Sequence, residues 1–126
     1  AYLDMKYDSS TVTGLLWAGA VSLPRSYDWD PATLRPGIPE SAILGVEGPL
    51  WAETVTRASE FEFQAFPRLI ALAEVGWSQQ ATRTFAGFAA RLAEHGPRLQ
   101  ALGINFYRAP EVDWVPSSGR RSRPVP

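Results

Sequence analysis

The chain of 126 residues is 45% hydrophobic, 12% aromatic and 20% charged, the composition of a folded protein and not of a disordered one. Its formal net charge of −1, with Arg120, Arg121 and Arg123 as the one basic cluster, argues against a nucleic-acid partner, which needs a basic face. The absence of cysteine rules out a disulfide framework and a thiolate metal site, and no apolar run reaches the ~18 residues of a membrane span.

Ala1 stands where a start methionine would, and a polar and aromatic cluster follows at once, so the sequence reads as a cut end. Tyr2-Leu3-Asp4 alternates a phenol, an apolar side chain and a carboxylate; on a strand, Tyr2 and Asp4 face the same way. Residues 11–37 mix Gly, Pro, Ser and Asp with Trp17, Tyr27 and Trp29 and read as a long functional loop. Residues 41–46, between Pro39 and Gly48-Pro49, have the form of a strand buried on both faces that delivers Leu50, Trp51 and Glu53 at its C-terminal end.

From Ser59 to Trp77 the pattern is helical, with Phe63, Phe66, Ile70, Ala73 and Trp77 on one stripe and Pro67 restarting the helix at a first-turn position. The stripe is expected to pack Phe66, Ile70 and Ala73 on the strand of residues 42–46. A second helix is predicted after Thr84 as N-cap, with Phe85, Phe88 and Leu92 on one face and an end near Gly96. A short third helix fits between Pro97 and Gly103, and residues 109–126 read as a loose Pro/Ser/Arg-rich tail. One buried strand has no sheet here to pair with, and such a strand is not stable alone. The sequence therefore predicts an α/β fold, incomplete by itself, as part of an α/β barrel.

Two pairs carry chemistry. Tyr2 with Asp4 sets a neutral hydrogen-bonding group beside an anionic acceptor at a strand end, where α/β barrels keep their active sites. Trp51 with Glu53 repeats the theme with an indole, and sugars are bound by such pairs: the C–H face stacks on the ring while hydroxyls donate to the carboxylate. An ordinary polar strand end and a core tryptophan would give the same short patterns. Trp17 adds an aromatic side chain in a loop that otherwise has surface-turn composition. Asp28 and Asp30 have a spacing seen in metal sites, but Asp30 before Pro31 suits a turn or cap. Arg68 and Glu74 read as structural ion-pair or cap residues, and His95 beside Gly96 as a cation favoured by a helix end.

Tyr2-Leu-Asp4, Trp17, Tyr27-Asp-Trp-Asp-Pro31, Ile43-Leu-Gly45, Leu50-Trp-Ala-Glu53 and Phe66-Pro-Arg-Leu-Ile-Ala-Leu-Ala-Glu74 with Trp77-Ser78 are together similar to one family. In order and spacing they resemble the last third of a glycoside hydrolase family 20 β-N-acetylhexosaminidase barrel, over roughly residues 1–108. The resemblance implies a (β/α)8 TIM barrel and a retaining exo-acting enzyme that takes a carbohydrate with a terminal N-acetylglucosamine or N-acetylgalactosamine. Neither metal nor cofactor is implied, and secretion is a family-level expectation.

By the same resemblance, Tyr2 holds the carbonyl of the substrate's 2-acetamido group. That carbonyl is the nucleophile and gives an oxazolinium intermediate, outside the usual two-carboxylate scheme. Asp4 and Glu53 accept hydrogen bonds from outer hydroxyls, Trp51 lines the acetamido pocket, and Trp17 closes the site near the leaving group. The family's adjacent Asp-Glu pair, orienter and general acid, has no counterpart in this sequence. On the residues alone, a non-catalytic carbohydrate-binding module and a helical interaction piece remain alternatives.

Overall fold

The computed structural model describes residues 2–116, in which four α-helices and four single 3-10 turns are joined by extended backbone. Helix α1 (Leu23–Tyr27) starts at Ser22, whose hydroxyl accepts from Arg25 N at 3.4 Å, with Pro24 in the first turn where a missing N–H costs nothing. In α2 (Ala58–Ala65), Glu60 Oε2 accepts from the backbone N–H groups of Thr56 and Arg57 at 2.8 and 3.2 Å. Helix α3 spans Arg68–Trp77, and α4 spans Phe85–Ala101 with Thr84 as N-cap, as the sequence predicts; Thr84 Oγ1 accepts from Gly87 N at 3.2 Å.

The main core joins Leu23 and Tyr27 of α1, Ala71 and Val75 of α3, and Phe88, Leu92 and Ala93 of α4, with Ala109 and Val112 behind them. Each large apolar side chain buried there contributes roughly 1.5–3 kcal/mol. Tyr27 stacks on Phe88 with ring centroids 4.6 Å apart. Its hydroxyl donates to Glu74 Oε1 at 2.7 Å, and Arg91 Nη2 donates to the same oxygen at 2.6 Å, so one carboxylate ties α1, α3 and α4. Burial and the Glu74 bond push Tyr27 up to about 12. Burial also pushes Glu74 up, but the bonds from Arg91 and Tyr27 outweigh it and hold the carboxyl below its ordinary value.

A second cluster stacks Tyr7 on Tyr107 at 4.0 Å, with Phe63 edge-on to both. Tyr107 donates to Asp8 Oδ2 at 2.7 Å, and the hydrogen bonds from Ser10 and Tyr107 hold the Asp8 carboxyl well below the usual carboxylate range.

The buried strand predicted for residues 41–46 is not formed. Residues Glu40–Ala42 make a 3-10 turn; Ile43 continues extended at φ −87°, ψ 113°, and Leu44 is fully exposed. Among the described residues the sole β-type pairing is an isolated parallel bridge, Met5 with Leu15. An apolar extended run becomes a strand only when a neighbour supplies the ladder, and none here does. The strand expected over residues 2–4 is likewise a bend leading into that bridge.

The helical stripe is also displaced. Residues 58–77 do break at Pro67, but Ala73 and Trp77 are exposed while Gln64, Ala65, Arg68, Ala71, Leu72 and Val75 are buried. Two polar residues on the inner face explain the error: a hydrophobicity pattern assigns Gln64 and Arg68 to solvent, whereas hydrogen bonds hold both inside. Residues 42–46 consequently meet α3 through Val46 against Gly76, where a Cβ would stand 2.8 Å from Val46 Cγ2, and not through Ala73.

The two helices predicted around Gly96-Pro97 are one. Pro97 lies inside α4, and the Ala93 carbonyl that its missing N–H would leave free accepts from Val115 N at 3.4 Å. The stop signal is Gly103, at φ +73°: Gly103 N donates to Gln100 O and Ile104 N to Leu99 O, the two bonds of a Schellman cap. The chain then returns over the core, burying Ala109 and Val112 and setting Trp114 against Gly96, so packed structure continues past Pro110. The rest of the predicted tail, with Arg120, Arg121 and Arg123, lies outside the described residues.

Two outcomes follow for stability. A Cβ at Gly96 would stand 2.9 Å from Trp114 Cε3. Overpacking of about 1–3 kcal/mol should outweigh the ~1 kcal/mol that Gly→Ala returns to a helix. Gly96→Ala should therefore lower Tm in thermal denaturation, and Trp114→Leu in the same chain should relieve part of the loss. Glu74 has a lowered folded pKa, so its contribution is present above the ordinary carboxylate value and lost as pH falls through the folded one. Glu74→Gln should cost up to ~1 kcal/mol at neutral pH, Arg91 being largely exposed. That deficit should shrink below about pH 4; Tm measured against pH for both proteins would show it, and a pH-independent deficit would contradict it.

Candidate functional site

Residues 3–6 bend into the Met5–Leu15 bridge, and their backbone polar groups find partners on both edges without a sheet. On one edge Leu15 N donates to Asp4 O at 2.8 Å, Lys6 N to Leu15 O at 2.9 Å and Val21 N to Lys6 O at 2.8 Å. Gly14 makes this approach possible: at φ +112° a Cβ would stand 2.7 Å from Gln64 Nε2 and 2.9 Å from Lys6 N. On the other edge Leu3 N donates to Pro49 O at 2.9 Å, and the carbonyls of Leu3 and Met5 accept from Arg68 Nη2 at 2.5 Å and Nη1 at 2.8 Å.

The Arg68 guanidinium is fully buried. It also donates to Val21 O at 3.1 Å, to Gln64 O at 2.9 Å and to Gln64 Oε1 at 2.7 Å, and lies 3.8 Å from the centre of the Tyr7 ring. Burial lowers its pKa, opposed by Tyr7 and by the charge of Asp4. Burial likewise pushes Tyr7 up to about 12, against the pull of Arg68. Gln64 completes the unit by donating to Thr13 O at 2.6 Å. Sequence reading assigned Arg68 to an ion pair or cap and passed over Gln64. The available signal was a polar pair four residues apart, in helical phase with Ala71, Leu72 and Val75.

Above this support lie the predicted site residues. Asp4 is 1% exposed, and both carboxylate oxygens are buried without a hydrogen-bond partner. Tyr2 is half exposed and meets Trp17 edge-on, with ring centroids 5.3 Å apart. Trp17 is 66% and Trp51 59% exposed. Trp51 precedes the 3-10 turn Ala52–Thr54, which carries Glu53 into solvent. Thr54 Oγ1 accepts from Gly14 N at 3.0 Å, fixing that turn to the loop that carries Trp17. Bonds Leu3–Pro49, Asp4–Leu15 and Gly14–Thr54 thus gather the segments of all five predicted residues, and Tyr2 with Trp17 is a direct contact among them.

The remaining loop aromatics belong to the scaffold. Tyr27 is a core residue, and Trp29 is half-buried with its Nε1 donating to Ser26 O at 3.0 Å. Asp30 caps the 3-10 turn Pro31–Thr33, accepting from Ala32 N at 3.0 Å, in line with the cap reading, and Asp28 is exposed. Glu74 pairs with Arg91, as an ion-pair role predicts.

Comparison with known proteins bears on this arrangement. The model of glycosyl hydrolase family 20, catalytic domain, matches residues 1–80. A β-N-acetylhexosaminidase of Cellulomonas fimi is 44% identical over 114 residues, 90% of this chain and 23% of that protein. A β-hexosaminidase of Porphyromonas gingivalis is 34% identical over 84% of the chain and 14% of its own length. Among solved structures, Streptomyces plicatus N-acetyl-β-hexosaminidase superposes with a TM-score of 0.87 at 50% identity, covering 91% of this chain and 23% of that one. The family 20 exo-β-N-acetylglucosaminidase of Vibrio harveyi gives 0.78 at 31%, over 86% and 17%. The chain spans under a quarter of the length of these relatives. With the family model matching well over half of its residues, the chain belongs to glycosyl hydrolase family 20, within the catalytic domain.

Proposed function

We propose that the chain is part of a retaining exo-β-N-acetylhexosaminidase, contributing sugar-binding walls to a (β/α)8 barrel whose other strands lie in further sequence. The observation that carries this reading is Asp4: a carboxylate buried without a hydrogen-bond partner, on a segment bonded to those that carry exposed Trp17 and Trp51. A buried anion left unpaired is costly, so such a group is kept for a ligand that donates hydrogen bonds to it. Sugar hydroxyls are such donors, and the indoles supply faces for the C–H surface of the ring. The fully exposed Leu44 supports the barrel reading, since flanking strands would cover residues 43–47 and complete their ladder.

In this reading the Tyr2 hydroxyl donates to the carbonyl oxygen of the 2-acetamido group and holds it against the anomeric carbon. That oxygen attacks as the glycosidic bond breaks, giving the oxazolinium ion, which water then opens with overall retention. Holding the nucleophile at attack distance lowers the barrier by several kcal/mol, roughly. Asp4 and Glu53 accept from the outer hydroxyls of a terminal residue, which makes the action exo. The leaving group takes its proton from the family's Asp-Glu pair, which this chain lacks, so the chain alone turns nothing over. The substrates are glycoconjugates or chitooligosaccharides ending in N-acetylhexosamine.

In the whole enzyme, Asp4→Ala, Trp51→Ala and Glu53→Ala should each lower kcat/KM on p-nitrophenyl N-acetyl-β-glucosaminide by ~10². Near-normal kinetics in all three would overturn the assignment.

A further inference from the structure

We propose that Arg68, assisted by Gln64, is a positioning residue for Asp4: its guanidinium clamps the two peptide carbonyls that flank Asp4 and so fixes where the unpartnered carboxylate points. The inference rests on the sugar-binding role proposed for Asp4.

A buried carboxylate without a hydrogen bond has no polar partner to fix its direction, so its placement comes from packing and from its backbone. On one edge that backbone is held by Leu15 N at the Asp4 carbonyl. On the other, the Leu3 and Met5 carbonyls go to Nη2 and Nη1 of one planar group. Because the two nitrogens share a rigid fork, the Leu3–Asp4 and Met5–Lys6 peptide planes are set relative to each other, and the Asp4–Met5 plane between them is held by Leu15 N. Gln64 holds the fork in turn, accepting from Nη2 through both its carbonyl and Oε1 while its amide is anchored on Thr13 O. Arg68 also feels the charge of Asp4, which ties the two side chains electrostatically as well as through the backbone. A lysine in its place keeps the charge but not the fork, and its single ammonium cannot hold both carbonyls in one plane.

The test is a double-mutant cycle in the whole enzyme, with p-nitrophenyl N-acetyl-β-glucosaminide as substrate and thermal melts to verify folding. Arg68→Lys should lower kcat/KM about tenfold when Asp4 is present and less than about twofold when Asp4 is already alanine. A general loosening of the fold would instead act equally in both backgrounds. Equal losses, or a folded Arg68→Lys enzyme with unchanged kinetics, would overturn the proposal. Gln64→Leu, which removes one anchor of the fork and leaves the arginine in place, should show the same dependence on Asp4 with a smaller loss. It decides the question if Arg68→Lys does not fold. Should Asp4→Ala itself be silent, the sugar-binding role of Asp4 falls first and the positioning role with it. Loss in Asp4→Ala with equal Arg68→Lys effects in both backgrounds sinks the positioning role alone.

Discussion

Every peptide group buried at residues 3–6 needs a partner, and among the described residues no strand ladder provides one. Arg68 is the answer on one edge, and much else depends on it. One guanidinium from the first residue of α3 reaches the carbonyls of Leu3, Met5, Val21 and Gln64, joining the N-terminal segment, the loop before α1, the end of α2 and the start of α3. A buried cation is costly to desolvate, and here carbonyl dipoles, the face of Tyr7 and the charge of Asp4 offset that cost. Backbone carbonyls cannot rearrange as carboxylate side chains can, so the arrangement is more rigid than an ion pair would be.

This dependence explains which parts of the structure were legible in the sequence. Helix starts were readable because a cap is a local event: Ser, Thr or Asp bonding a backbone N–H two or three residues on, as Thr84 does for Gly87 and Asp30 for Ala32. The exposure of Trp17 and Trp51 agrees with their reading as loop aromatics outside the core, while the pairs Tyr2 with Asp4 and Trp51 with Glu53 are short patterns that ordinary structural roles also produce. Non-local pairing was not readable. Nothing near Pro97 announces that Val115, eighteen positions on, will take the Ala93 carbonyl, and a proline in that position ordinarily predicts a break. The inner face of α2 and α3 was misread for a related reason. Gln64 and Arg68 are buried by partners more than forty residues away in sequence, which no hydrophobic periodicity contains.

The predicted strand at residues 41–46 deserves separate treatment, because its sequence and its surroundings disagree. Its composition suits burial on both faces, yet Leu44 is fully exposed, Ile43 is half-buried, and Val46 touches the core from the edge. Trp77, at the end of α3, is 92% exposed on the same molecule. Isolated apolar residues on a surface need no explanation, but a run with strand propensity left open along its backbone does. The proposed barrel accounts for it: flanking strands would pair with the run at residues 44–46 while α3 covers the outer side.

The held backbone of buried Asp4 and the exposed aromatic side chains on the neighbouring segments are two halves of the proposed site. Charge-assisted hydrogen bonds to a carboxylate are strong when water is already excluded and when no reorganisation is needed at the moment of binding. Asp4 meets both conditions: folding has removed its water, and its backbone is held on both edges before any ligand arrives. The exposed indoles of Trp17 and Trp51 meet neither, since stacking surfaces gain by covering apolar area only once a ring lies on them. In the proposed reading, a site that combines one fixed, dry acceptor with exposed aromatic faces would discriminate by hydroxyl position at the acceptor and tolerate variation at the faces. In that reading, selectivity for a terminal sugar would then rest on the backbone that Arg68 holds, and the aromatic side chains would contribute affinity.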